Sequence, residues 1–123
     1  MKYLILIYSN PSSRDVWNRL SADERASGLA AYAALNEELE RSGELIVTEA
    51  LSDPSLTTRV SSAGGQVLTA DGPFAEAKEL LAGFYLVECE SLDRAVEIAA
   101  RVPEASLGLV EVRPVMSLAG FEL

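Results

Sequence analysis

The sequence predicts a ferredoxin-like α+β sandwich, ordered βαβ, hairpin, βαβ, with an antiparallel sheet carrying its helices on one face. Three observations lead there. Two strand–helix–strand runs follow one another, a polar hairpin separates them, and two of the strands are apolar on both faces. With 123 residues, 49% of them apolar, the chain can bury a core without covalent staples. Residues 1–123 read as one domain.

Residues 2–8 form the first strand, apolar or aromatic at six positions and stopped by Asn10-Pro11. Ser21-Ala22-Asp23-Glu24 fits a capping box and opens a long helix. Its inner stripe is Gly28, Ala31, Tyr32, Leu35 and Leu39, and Gly43 ends it. Residues 45–50 are a second strand. Residues 53–70 hold a polar hairpin, in which Thr57–Val60 and Gln66–Thr69 flank a turn at Gly64-Gly65. Asp71-Gly72-Pro73-Phe74 is a turn, with Pro73 suited to start a short helix over residues 75–79. A strand follows at 83–89. Ser91 then caps a helix with Leu92, Ala95, Val96 and Ala99 inward, ended by Pro103. Residues 109–113 are the last strand, closed by Pro114, and a short tail runs to Leu123.

Composition excludes several function classes. There is no histidine, so no His-based metal site, catalytic triad or imidazole proton shuttle is available. The single cysteine, Cys89, cannot form an internal disulfide and reads as a core thiol. No dinucleotide fingerprint, P-loop or Cys-pair zinc spacing occurs, and no cofactor is expected. A net charge of −9 has the wrong sign for direct contact with nucleic acid or an anionic membrane. The apolar N-terminal run is too short for a signal peptide or a membrane span, so a cytoplasmic location is expected.

The first strand sets Tyr3, Ile5 and Ile7 against Leu4, Leu6 and Tyr8 on its other side. In the strand at 83–89, Phe84 and Leu86 oppose Tyr85 and Val87. Helices can cover only one face, and the other would be a larger apolar patch than monomers tolerate. Face-to-face packing of two sheets in a homodimer is the expected solution. The alternative is a hairpin folded back over the same face.

Candidate site residues follow from chemistry. Glu111 and Arg113 project from one face of the last strand, either as an ion pair or as an anion-binding arginine with its orienting carboxylate. Asp71 is the candidate general base, expected to be buried beside Phe74. Tyr8, Tyr32 and Tyr85 are expected to bring their hydroxyls to one cleft between sheet and helices, with Asn36 as the polar companion of Tyr32. Lys78 is a candidate substrate contact.

Those residues also carry a resemblance. The run from Asp71 through Phe74 to Glu79 is its densest part. With Gly83-Phe84-Tyr85, Leu92-Asp93 and Ala95, Val110 to Val115, and the opening Met1-Lys2-Tyr3 with Leu6-Ile7-Tyr8, it resembles the DGPF-type members of the YCII-related proteins. The resemblance implies a ferredoxin-like dimeric α/β barrel. It also implies a superfamily that includes muconolactone isomerase-like proteins and cofactor-free monooxygenases. Several relatives use a histidine with an aspartate, which this chain cannot do. Some DGPF-type members are encoded beside extracytoplasmic-function sigma factors.

The leading expectation is therefore a homodimer binding a small organic molecule, neutral or anionic, with cofactor-free proton transfer by Asp71. Tyr8, Tyr85 or Arg113 would stabilise developing negative charge. The rival expectation is an acidic interaction module for a sigma-factor-linked regulator. A third is a structural dimer without a useful cleft.

Overall fold

A computed structural model describes residues 1–117. The tail expected up to Leu123 falls, from residue 118 onward, outside the described residues. The elements are β1 (Lys2–Ser9), α1 (Pro11–Arg19), α2 (Ala22–Ser42), β2 (Leu45–Ala50), β3 (Thr58–Ala63), β4 (Gln66–Asp71), β5 (Leu80–Glu88), α3 (Leu92–Ala100) and β6 (Val110–Pro114). Four strands form one sheet in the order β2-β5-β1-β6, with every neighbouring pair antiparallel. Each β-helix-β unit is split by a strand of the other unit, which is the ferredoxin-like arrangement predicted.

Alternation along β1 and β5 sorts the sheet into two faces. Tyr3, Ile5, Ile7, Tyr85 and Val87 are buried under the helices, against Leu35 and Leu39 of α2 and Ala95, Ile98 and Ala99 of α3. Burying each large side chain of this core contributes on the order of 1.5–3 kcal/mol. The capping box at Ser21 is present, with the Glu24 amide donating to Ser21 Oγ at 3.1 Å and the Ser21 amide donating to Glu24 at 2.9 Å. Gly43 stands at the helix C-cap as expected. Arg94 of α3 grips Glu44, just ahead of β2, through two charge-assisted hydrogen bonds of 2.8 and 2.9 Å.

Three local details depart from the expectations. Residues 11–19 form a helix, α1, capped by Asn10 through a reciprocal pair of hydrogen bonds with Ser13. Residues 75–79 are not helical. One turn after Pro73, marked by the Ala77 amide donating to the Phe74 carbonyl at 3.1 Å, does not propagate, because so short a segment cannot offset helix nucleation. In α3, Leu92 and Val96 are exposed and Ile98 takes the inward position; in α2, Ala31 points outward. Helix α3 stops ahead of Pro103, which opens a 3-10 turn, and β6 ends at Pro114, opposite Tyr3, as expected.

The hairpin of β3 and β4 forms its own two-stranded sheet, joined by Gly64 (φ 58°) and Gly65 (φ 79°). Successive left-handed residues are what a two-residue hairpin turn demands. Among the described residues its strands contact each other and little else, so the hairpin does not fold back over the sheet.

Candidate functional site

The helix-free face of the sheet is built in rows. Register sets Glu111, Leu6, Phe84 and Glu49 side by side, and beneath them Arg113, Leu4, Leu86 and Val47. Strand alternation requires all eight to point away from the helices. A register shift between Leu45 and Val47 brings Val47 and Glu49 onto this face while Thr48 points inward. The centre is apolar, and charges stand at both edges.

Tyr8 lies at one end of this face, with Glu111 beside it. The Glu111 carboxylate, as hydrogen-bond acceptor, is the main cause that raises the Tyr8 hydroxyl above the usual tyrosine range; partial burial adds to this and Arg113 opposes it. Tyr8 is thus a neutral phenol over the physiological range. Glu79, just before β5, and the Gly108-Leu109 corner complete a shallow cavity of about 260 Å³ around the pair. The Tyr8 amide donates to the Leu109 carbonyl at 2.9 Å, fixing β1 against this corner.

The expected convergence of three tyrosines does not occur. Tyr32 and Tyr85 lie on the helix side, opposite Tyr8. Tyr85 is 1% exposed, and its hydroxyl donates to Asn36 Oδ1. The Tyr32 hydroxyl donates to the Glu104 carboxylate, a residue the sequence reading did not single out. Burial first, then Glu104, raises Tyr32 beyond the usual range; burial also raises Tyr85. Asn36 serves Tyr85 rather than Tyr32. Each of these hydroxyls has a partner, as buried tyrosines require.

Asp71 ends β4 and is exposed, and Phe74 beside it is 72% exposed, so the burial expected for a general base is missing. Asp71-Gly72-Pro73-Phe74 closes the foot of the hairpin, where the Gly72 amide donates to the Thr57 carbonyl at 2.6 Å. Lys78 is exposed on the following turn. Among the described residues, no group of three or more Cys, Asp or Glu side chains is placed to hold a metal ion. No helix among them is long and apolar enough to cross a membrane.

A split βαβ sandwich with one helix-covered face and one open face, rimmed by charge, defines the class: a ferredoxin-like α+β protein. Within it, the chain belongs to the YCII-related domain family, which matches residues 1–119. An uncharacterized protein of Rhizobium meliloti (strain 1021) is 34% identical over 116 residues, covering 93% of this chain and 91% of that protein. Among solved structures, the chain is similar to 5-chloro-2-hydroxyhydroquinone dehydrochlorinase from Burkholderia phenoliruptrix AC1100 in complex with 2,5-dihydroxybenzoquinone. The TM-score is 0.53 at 19% identity, covering 99% of this chain and 100% of that one. At that identity the likeness concerns the fold.

Proposed function

We propose that this protein is a homodimer that binds a small hydroxylated organic molecule on the open sheet face, at the Tyr8–Glu111–Glu79 cavity. The carrying observation is the Tyr8–Glu111 pair set at the end of an apolar floor. Tyr8 and Glu111 stand side by side at the cavity, and lone pairs on both groups accept from ligand O–H groups. Leu6 and Phe84 supply a flat apolar surface for a ring. Arg113, one row away, meets an anionic substituent.

Two carboxylates at the rim favour a ligand rich in hydroxyls over a polyanion. The quinone bound to the similar dehydrochlorinase supports a small, flat, oxygenated ring; its own hydroxyls are vinylogous acids ionised at neutral pH, so the neutral hydroquinone form is the one the two carboxylates favour. In this reading Glu111 takes over the proton-accepting role first assigned to Asp71, and Tyr8 accepts from a second ligand hydroxyl. A second copy packed face to face buries Leu4, Leu6, Phe84 and Leu86 and encloses the cavity. The alternative of a sigma-factor-linked regulator draws on acidic charge and on the family resemblance, and no feature of the site favours it.

The test is a thermal-shift titration with hydroquinone and other neutral polyhydroxybenzenes, with 2,5-dihydroxybenzoquinone, a dianion at neutral pH, as the disfavoured comparison. A ligand that binds only the folded state raises the melting temperature as its concentration grows. The expected result is a rise for the wild type that Glu111→Gln abolishes. Equal rises in both proteins would remove Glu111 from the site, and no rise with any hydroxylated ring would remove the ligand class.

A further inference from the structure

The hairpin of β3 and β4 is poorly explained by its own chain. A two-stranded ribbon alone is marginally stable in water. This one nevertheless shows Leu56, Val60, Val67, Leu68 and Phe74 to solvent, Val60 at 69% and Val67 at 71% exposure. Register puts Val60 and Val67 on one face of the ribbon and Leu68, with Arg59 and Phe74, on the other, so both faces expose apolar side chains, and exposure on that scale marks an interaction surface. Arg59 is the single charged side chain from residue 54 to residue 70. Its guanidinium lies over Phe74, 5.9 Å from the ring centroid, and its Nε is buried without a hydrogen-bond partner among the described residues. A hollow of about 230 Å³ lies along Arg59, Leu68 and Phe74.

We infer that the hairpin of one chain packs on the open sheet face of a second copy and forms the missing wall of its Tyr8–Glu111 cavity. The inference rests on the face-to-face dimer proposed above and adds that each site is shared between chains. Both unpartnered surfaces belong to one chain, so a two-fold axis pairs hairpin with face twice over, leaving neither exposed. The reach is sufficient. Six-residue strands extend roughly 20 Å, whereas packed sheets stand only ~10 Å apart. The hairpin also springs from the correct end of the sheet, because Glu79, at its foot, lines the cavity with Tyr8 and Glu111.

Charge agrees with this seating. The hairpin brings the cation Arg59 to a face whose edges and cavity carry Glu49, Glu79 and Glu111 against Arg113. The cavity, at about 260 Å³ and open to solvent, falls short of the ~300–1,000 Å³ usual for ligand sites, and a wall from the partner encloses it.

Two measurements test the inference. First, one tagged chain carrying Leu68→Cys is mixed with an untagged chain carrying Glu49→Cys and treated with a short bismaleimide; wild-type chains control for Cys89. A covalent pair containing both variants is expected. Second, Val60→Asp with Leu68→Asp is expected to raise the dimer dissociation constant roughly tenfold or more in sedimentation, with an unchanged far-UV circular dichroism spectrum. Should that variant misfold, the cross-link decides. A wild type that sediments as a monomer overturns both this inference and the dimer. A dimer that gives no mixed cross-link, or that keeps its affinity in the hairpin variant, overturns the shared site alone.

Discussion

The two faces of the sheet use the same kinds of residue to opposite ends. Under the helices, Tyr85 is buried and Tyr32 half-buried, their hydroxyls are taken up by Asn36 and Glu104, and their surroundings are packed. On the open face, Tyr8 and Glu111 are held beside a cavity, and Leu4, Leu6 and Phe84 are only half-buried. A tyrosine that is fully partnered stabilises the fold, whereas one beside a cavity keeps its hydrogen-bonding capacity for something else. The same residue type therefore indicates function only once its face is known.

The sharpest separation of the faces comes from truncating neighbours on β1. Ile5→Ala empties a fully buried position and should cost about 2–5 kcal/mol in chemical denaturation. Leu6→Ala, one residue away on the open face, should cost well under half as much in monomer stability and act mainly by weakening the dimer. Equal losses would mean that both faces are core within one chain.

Next in size is Gly83→Ala. A Cβ there would meet the Glu49 carbonyl at 2.9 Å, so β2 must shift away from β5. The expected cost is about 1–3 kcal/mol. It should also displace Glu49 on the open face, which amide exchange along β2 would register. A neutral substitution would contradict the tight pairing of these strands.

Tyr85→Phe should follow, at about 1–3 kcal/mol, because it leaves the Asn36 side chain without its partner. Tyr8→Phe should stay within about 0.5 kcal/mol of wild type, as substitutions away from packed features do. A large loss for Tyr8→Phe would turn Tyr8 into a structural residue like Tyr85.

The smallest effect is pH-dependent and belongs to the helix side. Arg94 holds the Glu44 carboxyl below its ordinary value of 4.5. A depressed folded-state value contributes stability at pH above the unfolded value, and that stability is lost as pH falls through the folded value. Wild type should therefore lose stability on acidification below about pH 4.5, and Glu44→Gln should lose less across that window. Parallel acid-unfolding profiles for the two proteins would count against this ion pair.

Much of the fold was legible because periodicity and capping report directly on backbone structure. The alternation in residues 2–8, the capping box at Ser21 and Glu24, and the Gly64-Gly65 turn each had a local physical cause that tertiary context did not override. Helix α1 escaped notice because its capping partner is Ser13 rather than Glu or Gln, and because Pro11 reads equally as a breaker or a first helical residue. The site was less legible. Tyr8 and Tyr85 differ in face, which strand alternation predicts, but their assignment to one cleft overlooked it. Glu79 joins Tyr8 and Glu111 only through the strand pairing of Ser9 with Leu80, a long-range contact that spacing cannot reveal. Asp71 looked buried beside Phe74 because an aromatic neighbour in sequence suggests shelter. On a hairpin that touches little of its own chain, both are exposed.

The most direct test of the account is calorimetric titration with hydroquinone, a neutral hydroxylated ring, of the wild type, Tyr8→Phe, Glu111→Gln and Tyr32→Phe. Binding on the open face predicts affinity weakened roughly tenfold or more for Tyr8→Phe and Glu111→Gln, the loss of about one hydrogen bond to a charged or polar anchor, with Tyr32→Phe unchanged. Loss of binding in Tyr32→Phe, with Tyr8→Phe and Glu111→Gln retaining wild-type affinity, would move the site to the helix side and contradict it.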